Sequence, residues 1–136
     1  MLNGISALKC HVAFLVIVGL LLCHGVTAAA KDDFPRLTGA VNDFAGVIPA
    51  DKKAQMDNLA REVLGKTGTA IVVATMPTIG DDEMNDYVNR LYSAWGVGKK
   101  GDNKGVLIFV TIKERKLRIE TGYGVEGILP DGLVGA

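Results

Sequence analysis

TAIVVATM, residues Thr69–Met76, and GVLIFVTI, residues Gly105–Ile112, are the two stretches that decide the fold. Both are apolar and β-branched at odd and even positions alike, which is typical of strands covered on both faces. The segment between them, residues 82–95, is predicted to be a helix. Its apolar residues recur at helical spacing and are expected to pack in the core: Met84, Tyr87, Val88, Leu91, Tyr92 and Trp95. A strand, a helix and a second strand in this order indicate a βαβ unit with parallel strands.

Upstream of this unit, residues 49–64 are predicted to form another helix. Pro49 suits the first helical turn, and Gly65 or Gly68 can supply the left-handed residue that ends it. One apolar face is expected along it: Met56, Leu59, Ala60, Val63 and Leu64. Residues 31–48 are predicted to be an extended lead-in, in which residues 41–44 form a short edge strand or a turn.

Downstream, Lys113-Glu114-Arg115 is predicted to be a tight turn and Lys116–Thr121 the second arm of an antiparallel hairpin. The arm alternates, with Leu117 and Ile119 expected to point inward and Arg118 and Glu120 outward. The predicted fold class is therefore α/β: a mixed β-sheet, with one parallel βαβ crossover plus an antiparallel hairpin, sandwiched by helices.

The N-terminus has the pattern of a secretory signal peptide, assigned to residues 1–30. A mildly basic start precedes the apolar run Val12–Leu22, and small residues follow at Thr27–Ala30. The run is shorter than the ~18 apolar residues that a membrane span requires. A retained N-terminal anchor is the alternative. We expect an exported protein, located in the periplasm or at the extracytoplasmic face of the membrane.

Removal of residues 1–30 leaves one domain, residues 31–136, with neither cysteine nor histidine, because both residues of each type lie in the leader. Zinc sites of the Cys/His type, thiolate nucleophiles and Ser-His-Asp triads are thereby excluded. The remaining carboxylates, amides and hydroxyls favour hard cations such as Ca²⁺ or Mg²⁺. Acidic and basic residues nearly balance, which is unlike a nucleic-acid-binding domain.

Two segments match the spacing G-x-G-x-x-G: Gly96/Gly98/Gly101 and Gly122/Gly124/Gly127. The first follows a helix, and the second follows the antiparallel arm of a hairpin. Neither context is that of a dinucleotide fingerprint, which lies between a parallel strand and a helix. We predict no nucleotide cofactor and assign these glycines to tight turns and close backbone approach.

The acidic and amide residues of the loops are the better candidates for a site. Asp43 opens the domain, Asp102 and Asn103 precede the second buried strand, and Asp131 follows the hairpin. Brought together at one edge of the sheet, they could hold Ca²⁺ through oxygen ligands. Spacing alone leaves the alternative open that they form turns and caps, because Asp and Asn bond their own backbone. General acid/base work by a pair of carboxylates is also left open.

Residues 41–136 resemble the TPM domain family. The resemblance rests on VNDFAGVIP (Val41–Pro49), WGVGKKGDNKGVL (Trp95–Leu107) and above all RIETGYGVEGILPD (Arg118–Asp131). Members of this family include exported bacterial proteins and a thylakoid-lumen protein associated with photosystem II repair. The resemblance implies an α/β sandwich, calcium binding or a weak acid-phosphatase activity, and a metal site that uses Asp43, Asp102, Asn103 and Asp131.

Three alternative functions are compatible with this resemblance and with the composition of the domain. The first is a non-catalytic accessory module of the cell envelope that binds a divalent cation and an envelope protein or membrane partner. The second is a metal-dependent phosphomonoester hydrolase, and the third is a purely structural envelope domain. The family domain usually continues with further helices after the L-P-D segment, so the domain is expected to be truncated here, with any membrane anchor in the missing part.

Overall fold

The computed structural model describes residues 33–100 and 102–128. The predicted signal peptide and Asp131 lie outside these residues. The elements are β1 (Val41–Asp43), α1 (Ala50–Thr67), β2 (Ala70–Met76), α2 (Met84–Trp95), β3 (Gly105–Thr111) and β4 (Lys116–Thr121), followed by a 3-10 turn over Tyr123–Val125. No helix in the described part of the chain is long and apolar enough to cross a membrane.

The four strands form one mixed sheet in the order β1-β2-β3-β4. β2 and β3 are parallel with Val72 beside Leu107, and β3 and β4 are antiparallel with Phe109 beside Arg118. The predicted α/β fold class is thereby confirmed. The segment that sequence left as strand or turn is β1, which pairs with β2 in parallel, so the described residues contain two β-helix-β crossovers.

The main core lies between α2 and one face of the sheet. Leu91 and Val88 of α2 are fully buried, as are Leu107 and Phe109 of β3. Tyr87 contacts Phe109 with ring centroids 5.5 Å apart, so the aromatic stripe is core, as predicted. α2 begins at Met84, two residues after the predicted start at residue 82. Its N-cap is Glu83, whose carboxylate accepts a hydrogen bond from the Asp86 amide at 2.9 Å.

The face of β4 that is covered by α2 is opposite to the one predicted. Register with β3 places Arg118 and Glu120 on the face that α2 covers, where the two side chains pair at 3.0 Å. Leu117 lies on the opposite face and is 58% exposed. Alternation showed that the two faces of β4 differ, but it did not show which face a helix covers. The mutual ion pair is what allows two charged side chains to be half-buried there.

α1 is also rotated relative to the prediction. Of its expected apolar face only Ala60 is buried, while Leu59 and Leu64 are 60% and 48% exposed. Asp57 faces the sheet instead and accepts a hydrogen bond from the Val41 amide at 3.1 Å. The helix ends at Gly68, whose φ of 72° is the left-handed conformation that glycine adopts without strain.

Candidate functional site

The sequence-predicted site residues divide between two opposite edges of the sheet. Asp43 is beside Thr75 near the carboxyl end of β2. Asp102 and Asn103 precede β3 at the other edge, where Lys104 accepts a hydrogen bond from the Ala70 amide at 2.8 Å. Five residues of a strand separate the two levels, which is roughly 17 Å. Asp43 therefore lies too far from Asp102 to share one ion with it, although metal binding by these residues remains a prediction.

Asp43 is surrounded by hydrogen-bond donors. Its carboxylate accepts bonds from the Ile48 amide at 2.8 Å, the Val47 amide at 3.1 Å and the Thr75 hydroxyl. Burial alone would raise the pKa of Asp43, but these bonds outweigh it and hold the pKa below its usual value. In the structure Asp43 thus closes the turn between β1 and α1 and anchors it to β2.

Glu114 likewise accepts hydrogen bonds that close a turn, the one between β3 and β4. Its carboxylate accepts hydrogen bonds from the hydroxyls of Thr111 and Thr78, the latter at 2.5 Å. These two bonds lower the pKa of Glu114 to about 2. The carboxyl edge of the parallel strands therefore holds carboxylates that accept bonds from neighbouring threonines.

At the amino edge, glycines allow three segments of backbone to touch. A β-carbon on Gly122 or Gly124 would overlap the carbonyl oxygens of the Asp102–Asn103 loop, and one on Gly98 would overlap the backbone of Gly105. Only glycine fits these three positions. The Gly124 amide donates to the Asn103 carbonyl at 3.2 Å and the Gly122 amide to the Gly105 carbonyl at 2.9 Å. The second G-x-G thus fixes the loop before β3 against the loop after β4.

Beside these glycines is a polar pocket of about 410 Å³, between the last turns of α2 and the end of β4. We call it the edge pocket. Its walls carry two carboxylates, two amides, four hydroxyls and one ammonium group: Glu120, Glu126, Asn89, Asn103, Tyr92, Ser93, Thr121, Tyr123 and Lys99. The neighbouring Asp102 and Asn103 have φ of 52° and 57°. Of the sequence-predicted residues that the structure describes, Asn103 lines the edge pocket and Asp102 precedes it.

Glu120 is the most enclosed carboxylate of the edge pocket, with its side chain 17% exposed. It accepts bonds from the guanidinium of Arg118 at 3.0 and 3.2 Å. Across the pocket, the Tyr92 hydroxyl donates to the Gly105 carbonyl at 3.4 Å. Burial, and secondly the negative charge of Glu120, raise the pKa of Tyr92. Tyr92 therefore stays a neutral donor at physiological pH.

The chemistry available to the edge pocket is that of oxygen ligands. Within the described residues no three Asp, Glu, His or Cys side chains converge closely enough to hold a metal unaided. A cation here would need amide, carbonyl and water oxygens beside Glu120 and Glu126, which is coordination that Ca²⁺ accepts. Sequence analysis did not select these two glutamates. The feature of the sequence that could have identified them is their position in RIETGYGVEG, the stretch on which most of the resemblance rests.

Comparison with known proteins identifies the family and agrees with the fold. The family model TPM_phosphatase, described as the TPM domain, matches residues 41–136. The inner membrane protein YcfZ of Escherichia coli is 28% identical over 124 residues, which cover 90% of this chain and 46% of YcfZ. The chain thus spans about half the length of this curated relative.

Two solved structures share the fold. The N-terminal domain of a P. gingivalis protein has a TM-score of 0.65 at 38% identity, over 71% of this chain and 61% of that one. The N-terminal domain of cg2496 from Corynebacterium glutamicum has a TM-score of 0.53 at 15% identity, over 68% and 60%. The second likeness concerns the fold alone.

Proposed function

The chain belongs to the TPM domain family, and on that premise we propose that it is an exported, non-catalytic accessory module of the cell envelope. It binds a divalent cation, Ca²⁺ in the first place, at the edge pocket and engages a protein or membrane partner. The observation that carries the proposal is the edge pocket itself, where Glu120, Glu126 and Asn103 line a cavity beside Asp102. Backbone contacts that only glycine permits hold the loop of Asp102 and Asn103 against the segment that carries Gly122 and Gly124.

The electrostatics of the edge pocket favour a cation over an anion. Asn89, Tyr92 and Ser93 come from the last turns of α2, so the pocket adjoins the end of the helix with partial negative charge. Glu126 adds to this field, Glu120 is paired with Arg118, and Lys99 is the single basic residue of the lining. Lys99 is itself directed to the carbonyl of Ser93, at 3.5 Å. Within the lining a phosphate group would meet two carboxylates and a single ammonium group.

The test is a calorimetric titration of Ca²⁺, and then of Mg²⁺, into the protein. Extracellular calcium modules bind with dissociation constants of about 10⁻⁴–10⁻³ M, which sets the concentrations required. We expect Asp102→Ala and Glu120→Gln each to weaken binding at least tenfold. Asp81→Ala, which removes an exposed aspartate outside the edge pocket, is the matched control and should bind as the parent does. An Asp131→Ala arm tests the predicted ligand that lies outside the described residues.

Two results would contradict the cation proposal. One is the absence of both heat and a shift in melting temperature at millimolar Ca²⁺. The other is binding that Asp102→Ala and Glu120→Gln leave unchanged. Either would leave a purely structural role for the glycine loops and the polar side chains beside them.

Export is tested separately, because it rests on the leader pattern of residues 1–30. An alkaline phosphatase reporter fused after Thr67, the end of α1, should be active outside the cytoplasm. Replacing Leu15 and Val18 with arginine in the apolar run should abolish that activity. Reporter activity that survives this change would contradict export by a signal peptide.

A metal-dependent phosphomonoester hydrolase is the second candidate, and the name of the matching family model favours it. A metal ion in the edge pocket would have to neutralise the phosphate charge, since Lys99 alone cannot. Turnover of p-nitrophenyl phosphate with Ca²⁺ or Mg²⁺ measures this directly. Turnover that persists in the double variant Asp102→Ala/Asp131→Ala would show that these residues do not form its site.

A further inference from the structure

β1 is shorter than the strand that it pairs with. Its three residues lie beside Val73–Thr75, while β2 begins at Ala70. The Val73 amide donates to Ala40 on the β1 side at 2.7 Å, and the Ala70 amide donates to Lys104 on the β3 side. Since successive residues of a strand point their N–H and C=O groups to opposite neighbours, Ile71 presents both groups to the β1 side. Within the described residues neither group has a hydrogen-bond partner.

Asn42 explains why the chain leaves the edge of β2 at this point. Its side-chain oxygen accepts bonds from the Thr38 amide at 2.8 Å and the Thr38 hydroxyl at 2.9 Å, and its amide donates to the Gly39 carbonyl at 2.9 Å. These bonds fold residues 38–42 into a turn. Asn42 is only 2% exposed, so the turn is firmly held, and the backbone before β1 cannot continue alongside Ile71.

The space that the turn leaves is a cleft of about 690 Å³ between the lead-in, α1 and β2. We call it the strand cleft. Apolar side chains line it from three sides: Leu37, Ala60, Leu64 and Ile71. Leu37 and Leu64 are 41% and 48% exposed, so the strand cleft is open and apolar beside an unpaired strand edge.

The charged rim of the strand cleft carries a positive excess. Asp57 is engaged by Lys53 at 3.2 Å and by the Val41 amide. Arg61 is directed to two uncharged oxygens, the Asp57 carbonyl at 3.2 Å and the Asn58 side chain at 3.3 Å. Among the described residues no carboxylate pairs with Arg61. An acidic group entering the cleft would find a partner there.

We propose that the strand cleft binds an extended, acidic segment of a partner protein by β-strand addition. The segment lies in line with β1, bonds the free N–H and C=O of Ile71, places an apolar side chain against Ala60 and Leu64, and sets a carboxylate near Arg61. Main-chain bonds give affinity and side-chain pockets give specificity in this mode of recognition. The inference supplies the protein partner of the proposed function. It rests on residues outside the edge pocket, so a chain that fails to bind calcium can still bind the segment.

The first measurement is amide hydrogen exchange by NMR on the free protein. The Ile71 amide should exchange at least tenfold faster than that of Val73, which is bonded to Ala40. The probe is then a phage-displayed library of random octapeptides, from which the enriched sequences are synthesised with a fluorescein label. We expect acidic residues beside Val, Ile or Leu in these sequences, and at least tenfold slower exchange of the Ile71 amide in the complex.

Two variants place the binding in the strand cleft without touching the core. Arg61→Glu and Leu64→Glu change exposed side chains of α1 and should each weaken the labelled peptides at least tenfold. Lys52→Glu makes the same charge change as Arg61→Glu on the same helix, outside the cleft, and should bind as the parent does. Melting temperatures of all three should stay close to that of the parent, because the altered side chains are exposed.

The proposal is overturned if no peptide is enriched, or if the enriched peptides bind both cleft variants as tightly as the parent. It is also overturned if the Ile71 amide is already protected in the free protein. Protection that rises with protein concentration would mean that a second copy occupies the edge. Protection independent of concentration would mean that another part of the same chain does.

Discussion

Gly122→Ala tests whether the edge pocket depends on backbone contacts that only glycine permits. Gly122 has φ of −82°, so alanine meets no backbone strain there and any cost comes from packing. Its β-carbon would overlap the carbonyl oxygen of Asn103 and lie 2.6 Å from the Tyr92 hydroxyl oxygen, whereas ordinary contact begins near 3.4 Å. The loop before β3 must therefore move away from the loop after β4.

The expected loss in the free energy of unfolding follows from the contacts and hydrogen bonds that this movement disrupts. Overpacking of a closed site costs about 1–3 kcal/mol. The Gly122–Gly105 and Gly124–Asn103 hydrogen bonds, each worth about 1 kcal/mol, are strained or lost. The lower entropy of an unfolded chain with alanine offsets about 0.5–1 kcal/mol. We expect a net loss of about 2–4 kcal/mol, which lowers the melting temperature of a domain this size by about 10–25 °C.

Urea unfolding followed by circular dichroism measures the loss, with Gly127→Ala as the matched control. Gly127 lies in the same segment, and a β-carbon there meets nothing within 4 Å, so the change should stay within about 0.5 kcal/mol. Calcium affinity should fall with Gly122→Ala in the folded fraction. A Gly122→Ala protein as stable as the Gly127→Ala protein would refute the close backbone approach and with it the rigid edge pocket.

Three further changes test other parts of the fold. Gly65→Ala should raise the free energy of unfolding by about 0.5–1 kcal/mol, because Gly65 lies inside α1 with open space around it, and urea unfolding at pH 7 measures it. Glu114→Gln should make the free energy of unfolding depend less on pH in acid. The folded pKa of Glu114, about 2, lies below the unfolded value of about 4.3. Its contribution to stability is therefore complete above about pH 4.3 and is lost as pH falls toward 2. Melting temperatures from pH 6 to pH 2 would contradict this if parent and variant kept parallel profiles. Trp95→Phe should lower the free energy of unfolding by about 1–3 kcal/mol. The indole N–H donates to the Pro35 carbonyl at 2.9 Å, and its removal leaves that carbonyl without a donor. Unchanged urea unfolding would show that water replaces the bond.

The sequence alone predicted the elements whose residues are apolar at odd and even positions alike or at helical spacing. β2 and β3 could be predicted because burial on both faces leaves no choice of face, and α2 could be predicted because its apolar stripe is the face that packs on the sheet. β4 was predicted as a strand but with the wrong face inward, and α1 was predicted as a helix with a face that overlaps the buried one only in part. Their patterns are amphipathic, and the covering element decides which side is buried: Asp57 of α1 bonds the Val41 amide, and register places Arg118 beside Phe109.

The candidate site was predictable in part for a related reason. Asp102 and Asn103 were selected because polar residues before a buried strand lie at a sheet edge. Asp43 was grouped with them because the segment around it was left as strand or turn. Once β1 is known to run parallel to β2, its last residue must lie at the carboxyl edge, opposite the loop that precedes β3. Glu120 and Glu126 were not predicted, since alternation along β4 indicated that Glu120 points outward and the candidate residues were aspartates and asparagines of loops.

The topology explains why the amino edge rather than the carboxyl edge carries the candidate site. In open α/β sheets ligands bind outside the carboxyl ends of the strands, at a point where the strand order reverses and leaves a crevice. Here the parallel strands follow one another as β1-β2-β3, so no reversal opens one. The carboxylates at that edge, Asp43 and Glu114, instead accept hydrogen bonds that close turns. The antiparallel return of β4 brings the second G-x-G and Glu120 back to the amino edge, beside the end of α2, and it is this return that forms the edge pocket.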